Sequence, residues 1–71
     1  MIEIYANIDE NFRKRVEFMF EMALLQKNHF KAAQVLVNFL KTCNNEEEQD
    51  YASFVFYTKM MERLNNENNN N

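Results

Sequence analysis

Few side chains in this sequence are suited to chemistry. The chain has one histidine, His29, and one cysteine, Cys43. His29 falls at the expected start of a helix, and local spacing places no acid beside it. Cys43 has no evident base. Nucleophilic and general-base catalysis each require such a partner within hydrogen-bond reach. Glu17 and Glu21 are carboxylates four residues apart. On an exposed helix face that spacing gives mild repulsion rather than an acid–base pair. A zinc site needs several His or Cys ligands at short spacing, and the chain has one of each. There is no glycine, and so no phosphate-cradling loop. The expectation is a non-enzymatic protein with no catalytic residues, no metal site, no cofactor and no small-molecule substrate.

Two charge runs remain. Glu46-Glu47-Glu48-Gln49-Asp50 is acidic. Its plain reading is helix capping and solubility. Its sharper reading is an acidic docking patch, Glu46, Glu47, Glu48 and Asp50, set against a basic protein surface that otherwise holds DNA or RNA. Arg13-Lys14-Arg15 is basic, but its three positions spread around most of a helix. Such side chains either snorkel over apolar neighbours or anchor an acidic partner. Direct nucleic-acid binding would need them aligned with Lys27, Lys31 and Lys41 across a dimer. The net charge of −3 counts against that reading, because a nucleic-acid coat needs a basic surface.

Three helices must position these residues. Phe12 to Leu25 is the most apolar helical stretch. At about 100° per residue, Phe12, Val16, Met19, Phe20, Ala23 and Leu24 share one broad face. Phe18, Met22 and Leu25 form a second face. A surface helix normally carries one apolar stripe, so a helix apolar on two faces must be covered twice. Its start is expected at Asn7 or Asp9 and its end near Gln26 or Lys27. Asn28 caps a second helix expected from His29 to Thr42. The apolar arc of that helix holds Phe30, Ala33, Leu36, Val37, Leu40 and Cys43, widened by Ala32, Val35 and Phe39. Asn45 and Glu48 have capping-box spacing and open a third helix expected to reach about Leu64. Its main stripe reads Phe54, Tyr57, Met61 and Leu64, with Met60 at one edge and Val55 and Phe56 off it.

The run from Leu24 to Ala33 resembles the turn of a tetratricopeptide repeat, with Phe30 three positions before the small Ala33. The resemblance covers about ten residues and implies a tight helical hairpin. Glu21 stands where that family has a small residue, the closing proline is missing, and no second copy follows.

Outside the helices, Met1 to Ile8 alternates, with Ile2, Ile4, Ala6 and Ile8 to one side. This predicts a short strand, or an extended arm packing Ile4 and Ile8 on the helices. Asn65 to Asn71 has no apolar residue and predicts a disordered tail. With neither glycine nor proline, the turns fall to Asn and Asp, which tolerate left-handed backbone. No run approaches a membrane span, and no basic stretch leads into an apolar core as in a signal peptide, so a cytoplasmic location is expected.

These readings combine into an all-α fold. Residues 9–64 form a small three-helix domain, an antiparallel helical hairpin plus a third helix, between an extended arm (1–8) and a tail (65–71). Small domains bury little of their surface, and one cysteine forms no internal disulfide, so the expected stabiliser is a homodimer. The dimer or partner interface is expected at Phe18, Met22, Leu25, Phe54, Tyr57 and Met61, with the first three forming the intermolecular face. The expected function is a regulator or inhibitor that binds a cytoplasmic protein, encoded by a phage or mobile element and acting in the host cytoplasm. An acidic imitation of nucleic acid is the alternative, and direct nucleic-acid binding comes third.

Overall fold

The computed structural model describes residues 5–69, with side chains described as far as Asn66. Three helices follow in order: α1 (Glu10–Leu24), α2 (His29–Leu40) and α3 (Glu46–Asn69). Among the described residues there is no strand. Met1 to Ile4 of the expected strand lie outside the described residues. Tyr5 to Asn7 form a turn instead of an extended arm, and the Ile8 amide donates to the Tyr5 carbonyl at 3.2 Å.

Side chains set each helix start. Asp9 caps α1, its carboxylate accepting the Phe12 amide at 2.8 Å. Asn28 caps α2, accepting the Lys31 amide at 2.8 Å. At α3 the box is reciprocal: Asn45 Oδ1 accepts the Glu48 amide at 2.9 Å, and Glu48 Oε1 accepts the Asn44 amide at 2.8 Å. These bonds satisfy amides that a helix start leaves without intrahelical partners. The Asn residues act through their side chains and not through left-handed backbone, because no described residue has positive φ. Both α1 and α2 end on right-handed helical caps, Leu25 and Lys41.

The core is one cluster: Ile8, Phe12, Val16, Met19, Phe20, Ala23, Ala32, Leu36, Ala52 and Phe56. It contains the α1 face read from the sequence, with Leu24 half-buried at its edge. Phe12 meets Phe39 of α2 at 5.6 Å between ring centroids and Tyr51 of α3 at 6.2 Å. Further along α1, Phe20 meets Phe56 edge-on at 5.9 Å. Small side chains lie where the helices approach: Ala23, Ala32 and Ala52 are all buried.

Helix α2 is turned from its expected orientation. In α2 the inward residues are Ala32 and Leu36, with Val35, Phe39 and Leu40 half-buried, while Phe30, Ala33 and Val37 face solvent. The two residues that carry the tetratricopeptide resemblance are therefore both exposed. In α3, Ala52 and Phe56 point inward, and the stripe Phe54, Tyr57, Met61 and Leu64 is exposed. The inner α3 stripe is the less apolar of the two because it contains Lys59, whose ammonium lies 5.6 Å from the centre of the Phe20 ring and caps the core edge.

Helix α3 also continues through Asn69, past the expected stop at Leu64. Extending a formed helix costs a few tenths of a kcal/mol per Asn, without a new nucleation penalty. Asn70 and Asn71 lie outside the described residues. At 24 residues α3 outlasts the 15-residue α1, and from Met61 to Asn66 every residue is exposed. No helix of the described residues is long and apolar enough to cross a membrane.

Candidate interaction surfaces

Every helix carries two apolar stripes, one buried and one open. Phe18, Met22 and Leu25 on α1, Phe30 and Val37 on α2, and Phe54, Tyr57, Met61 and Leu64 on α3 are between 41% and 75% exposed. All six residues expected at an interface are in this set. They do not form a single cluster. Phe18 borders a groove between α1 and α2, whereas Phe54 lies 6.0 Å from Tyr5 and Tyr57 lies 5.6 Å from Phe56, between ring centroids. Composition and period 3.6 show both stripes of each helix, and the sequence reading found those of α1 and α3. A single wide arc on α2 does not separate the exposed Phe30 and Val37 from its buried residues.

The groove between α1 and α2 has a volume of about 410 Å³. Phe18, Met19 and Phe39 make its apolar wall, and Lys14, Arg15 and Thr42 its polar rim. The Arg15 guanidinium lies over Phe12 and Phe39, 5.6 and 5.5 Å from the ring centres, and donates to Thr42 Oγ1 at 3.4 Å. A cation over an aromatic face is held by the ring quadrupole and shields the ring edge from water. A second recess, about 280 Å³, lies where the link after α1 meets α3. Its lining includes Leu24, Lys27, His29, Met60 and Arg63.

The basic triplet is largely committed to the fold. Arg13 donates from Nε to the Ile8 carbonyl at 3.3 Å and from a terminal nitrogen to the Tyr5 carbonyl at 3.2 Å. It also lies 5.1 Å from the centre of the Tyr51 ring. Arg13 thus ties the N-terminal turn to α1 and α3, and with Arg15 it follows the snorkelling reading.

In the acidic run, Glu48 completes the α3 cap, and Glu47 and Glu48 are half-buried. Glu46 and Asp50 are the exposed carboxylates of the expected patch. Cys43 is half-buried, and its Sγ donates to the Phe39 carbonyl at 3.7 Å. Its pKa is pushed above the ordinary thiol value, first by burial and then by the nearby Glu48 carboxylate, with Arg15 partly opposing. A thiol held protonated is a poor nucleophile. No group of His, Cys, Asp and Glu among the described residues is arranged to hold a metal ion.

Compared with known proteins, the chain matches no family model, no curated protein and no solved structure.

Proposed function

We propose that this chain is a small non-enzymatic interaction module, a regulator or inhibitor that works by covering a site on another protein. The observation that carries the reading is the second apolar stripe on each helix. Nine large hydrophobic side chains among the described residues stay exposed, in rows along single helices, and an apolar row on one helix face suits a partner's hydrophobic groove. Met22 and Met61 add side chains that adapt to a partner's shape. The module is built on an antiparallel hairpin of α1 and α2, with α3 running alongside α1. Phe12 near the start of α1 meets Phe39 near the end of α2, and Phe12 and Phe20 meet Tyr51 and Phe56 in ascending order.

The face for the partner protein is Phe18, Met22 and Leu25 together with the α1–α2 groove. Its apolar wall and the exposed cation Lys14 suit a large apolar side chain with a carboxylate nearby, so the partner segment is amphipathic and acidic. The cytoplasm is the proposed setting, and a phage or mobile element the proposed source.

The test is a tagged pull-down after nuclease treatment, comparing the natural chain with Phe18→Glu/Met22→Glu. The natural chain retains one protein in stoichiometric amount. The double variant, with unchanged helix content by circular dichroism, loses it. Recovery that depends on intact nucleic acid, or equal retention by both chains, would overturn the reading.

A further inference from the structure

The exposed stripe of α3 has a stricter pattern than those of α1 and α2. Phe54, Tyr57, Met61 and Leu64 are spaced three, four and three residues apart, the alternation of a and d positions in a coiled-coil seam. All four are open, from 43% to 64% exposed. The positions flanking the seam are Ser53, Thr58, Met60 and Asn65, none of them charged. By contrast, the α1 stripe is flanked by Lys14, Arg15 and Glu21, and α2 offers only two large side chains.

We infer that a second copy of this chain docks on the outer seam of α3, with the two α3 helices antiparallel. Charge selects the orientation. Parallel pairing would set Asp50 against Asp50 of the second copy and both exposed acidic turns side by side. Antiparallel pairing centred on Lys59 places Phe54 opposite Leu64 of the second copy and Tyr57 opposite its Met61. Asp50 then falls opposite position 68, an Asn, and the acidic turns lie at opposite ends of the interface. Neutral flanks oppose neither copy.

The area is sufficient. The open parts of the four seam residues amount to roughly 500 Å² per copy, or about 1,000 Å² in all, the lower bound for a specific interface. A free two-heptad helix pair would be marginal, but here each helix is already ordered by its own core, so docking carries little further ordering cost. An area at that bound fits a reversible dimer rather than an obligate one. Antiparallel docking is isologous and closes at two copies.

This inference rests on the reading of the chain as an interaction module, but it can fail independently, because it assigns self-association to α3 and leaves α1 for the other protein. That differs from the sequence-based expectation that Phe18, Met22 and Leu25 hold the dimer. Sedimentation velocity of the full chain from 1 to 300 µM tests it. A monomer–dimer equilibrium is expected, weakened at least 100-fold by Tyr57→Glu/Met61→Glu and unchanged by Phe18→Glu/Met22→Glu. Far-ultraviolet circular dichroism confirms that both variants stay helical. For orientation, Phe54→Cys and Leu64→Cys chains, each also carrying Cys43→Ser and tags of different mass, are mixed and oxidised. The mixed disulfide should exceed both symmetric ones. A monomer throughout the range overturns the inference, as does a dimer broken by the α1 variant or dominant symmetric disulfides. Partner capture retained by Phe18→Glu/Met22→Glu would instead count against the proposed function, whatever the state of the dimer.

Discussion

Replacing Phe56 and Phe54 in turn gives the most direct test of how α3 is seated. The two residues are neighbours of the same type, yet Phe56 is 4% exposed and Phe54 is 57% exposed. Phe56 meets Phe20 edge-on at 5.9 Å and sits in the core with Ala52. Truncating a buried Phe to Ala removes its transfer free energy and leaves a cavity, costing about 3–5 kcal/mol. A domain of this size has a total stability of about 4–10 kcal/mol. Phe56→Ala therefore removes about 30% of the stability at least, and at the upper end of the cost unfolds a marginal chain. The gentler Phe56→Leu should cost about 1–2 kcal/mol and keeps the comparison measurable. Phe54→Ala should cost about 0.5 kcal/mol or less, as for an exposed position. The assay is urea denaturation followed at 222 nm, at about 1 µM chain so that self-association does not contribute. With a slope of about 1 kcal/mol per molar urea, Phe56→Leu moves the midpoint down by about 1–2 M and Phe54→Ala by about 0.5 M or less. If Phe54→Ala cost as much as Phe56→Leu at that concentration, the outer stripe would be the buried one, and the orientation of α3 would be refuted.

Two further outcomes concern the start of α3 and the thiol before it. Asn45→Ala removes the acceptor for the Glu48 amide and should cost about 1 kcal/mol, whereas Glu48→Gln keeps the reciprocal bond and should cost only a few tenths; urea midpoints separate the two. Cys43 should react with iodoacetamide at pH 8 more slowly than an unfolded control, and Glu48→Gln should speed the reaction by removing a charge that disfavours thiolate. The linked stability runs in a definite direction: the folded thiol keeps its proton to higher pH than the unfolded one. Its contribution is therefore complete at neutral pH and is lost as pH climbs through the folded value. Cys43→Ser should remove that part of the alkaline loss.

The sequence and the structure agree best where one pattern dominated. Phe12, Val16, Met19, Phe20 and Ala23 cluster on the α1 wheel and are buried together. Asn28 and Asn45 stand where their side chains cap the next helix. Pattern alone does not say which of two apolar stripes on one helix faces inward. In α3 the outer stripe has two aromatics, Met61 and Leu64, and outranks an inner stripe that includes Ala52 and Lys59. Hydrophobicity measures the wish to leave water and is silent on which stripe the neighbours can accommodate. The small Ala52 is chosen by close helix approach, and Lys59 is tolerated because its ammonium reaches past the Phe20 ring. The N-terminal alternation was misread beyond Met1 to Ile4 for a related reason. Tyr5 to Ile8 close a turn onto Arg13, a contact made through the side chain of a residue that the strand pattern does not include.

The turns carry a further consequence, for how the chain can vary. No described residue has positive φ, and both observed C-caps lie in conformations open to almost every amino acid. The constraint in the two links rests on the cap side chains of Asn28 and Asn45, while neighbours such as Gln26, Lys27 and Asn44 hold no backbone geometry that only a special residue supplies. Lengthening either link costs only about 0.6 kcal/mol per doubling. Insertions and drift can therefore accumulate between the helices while the caps and the buried stripes hold the fold.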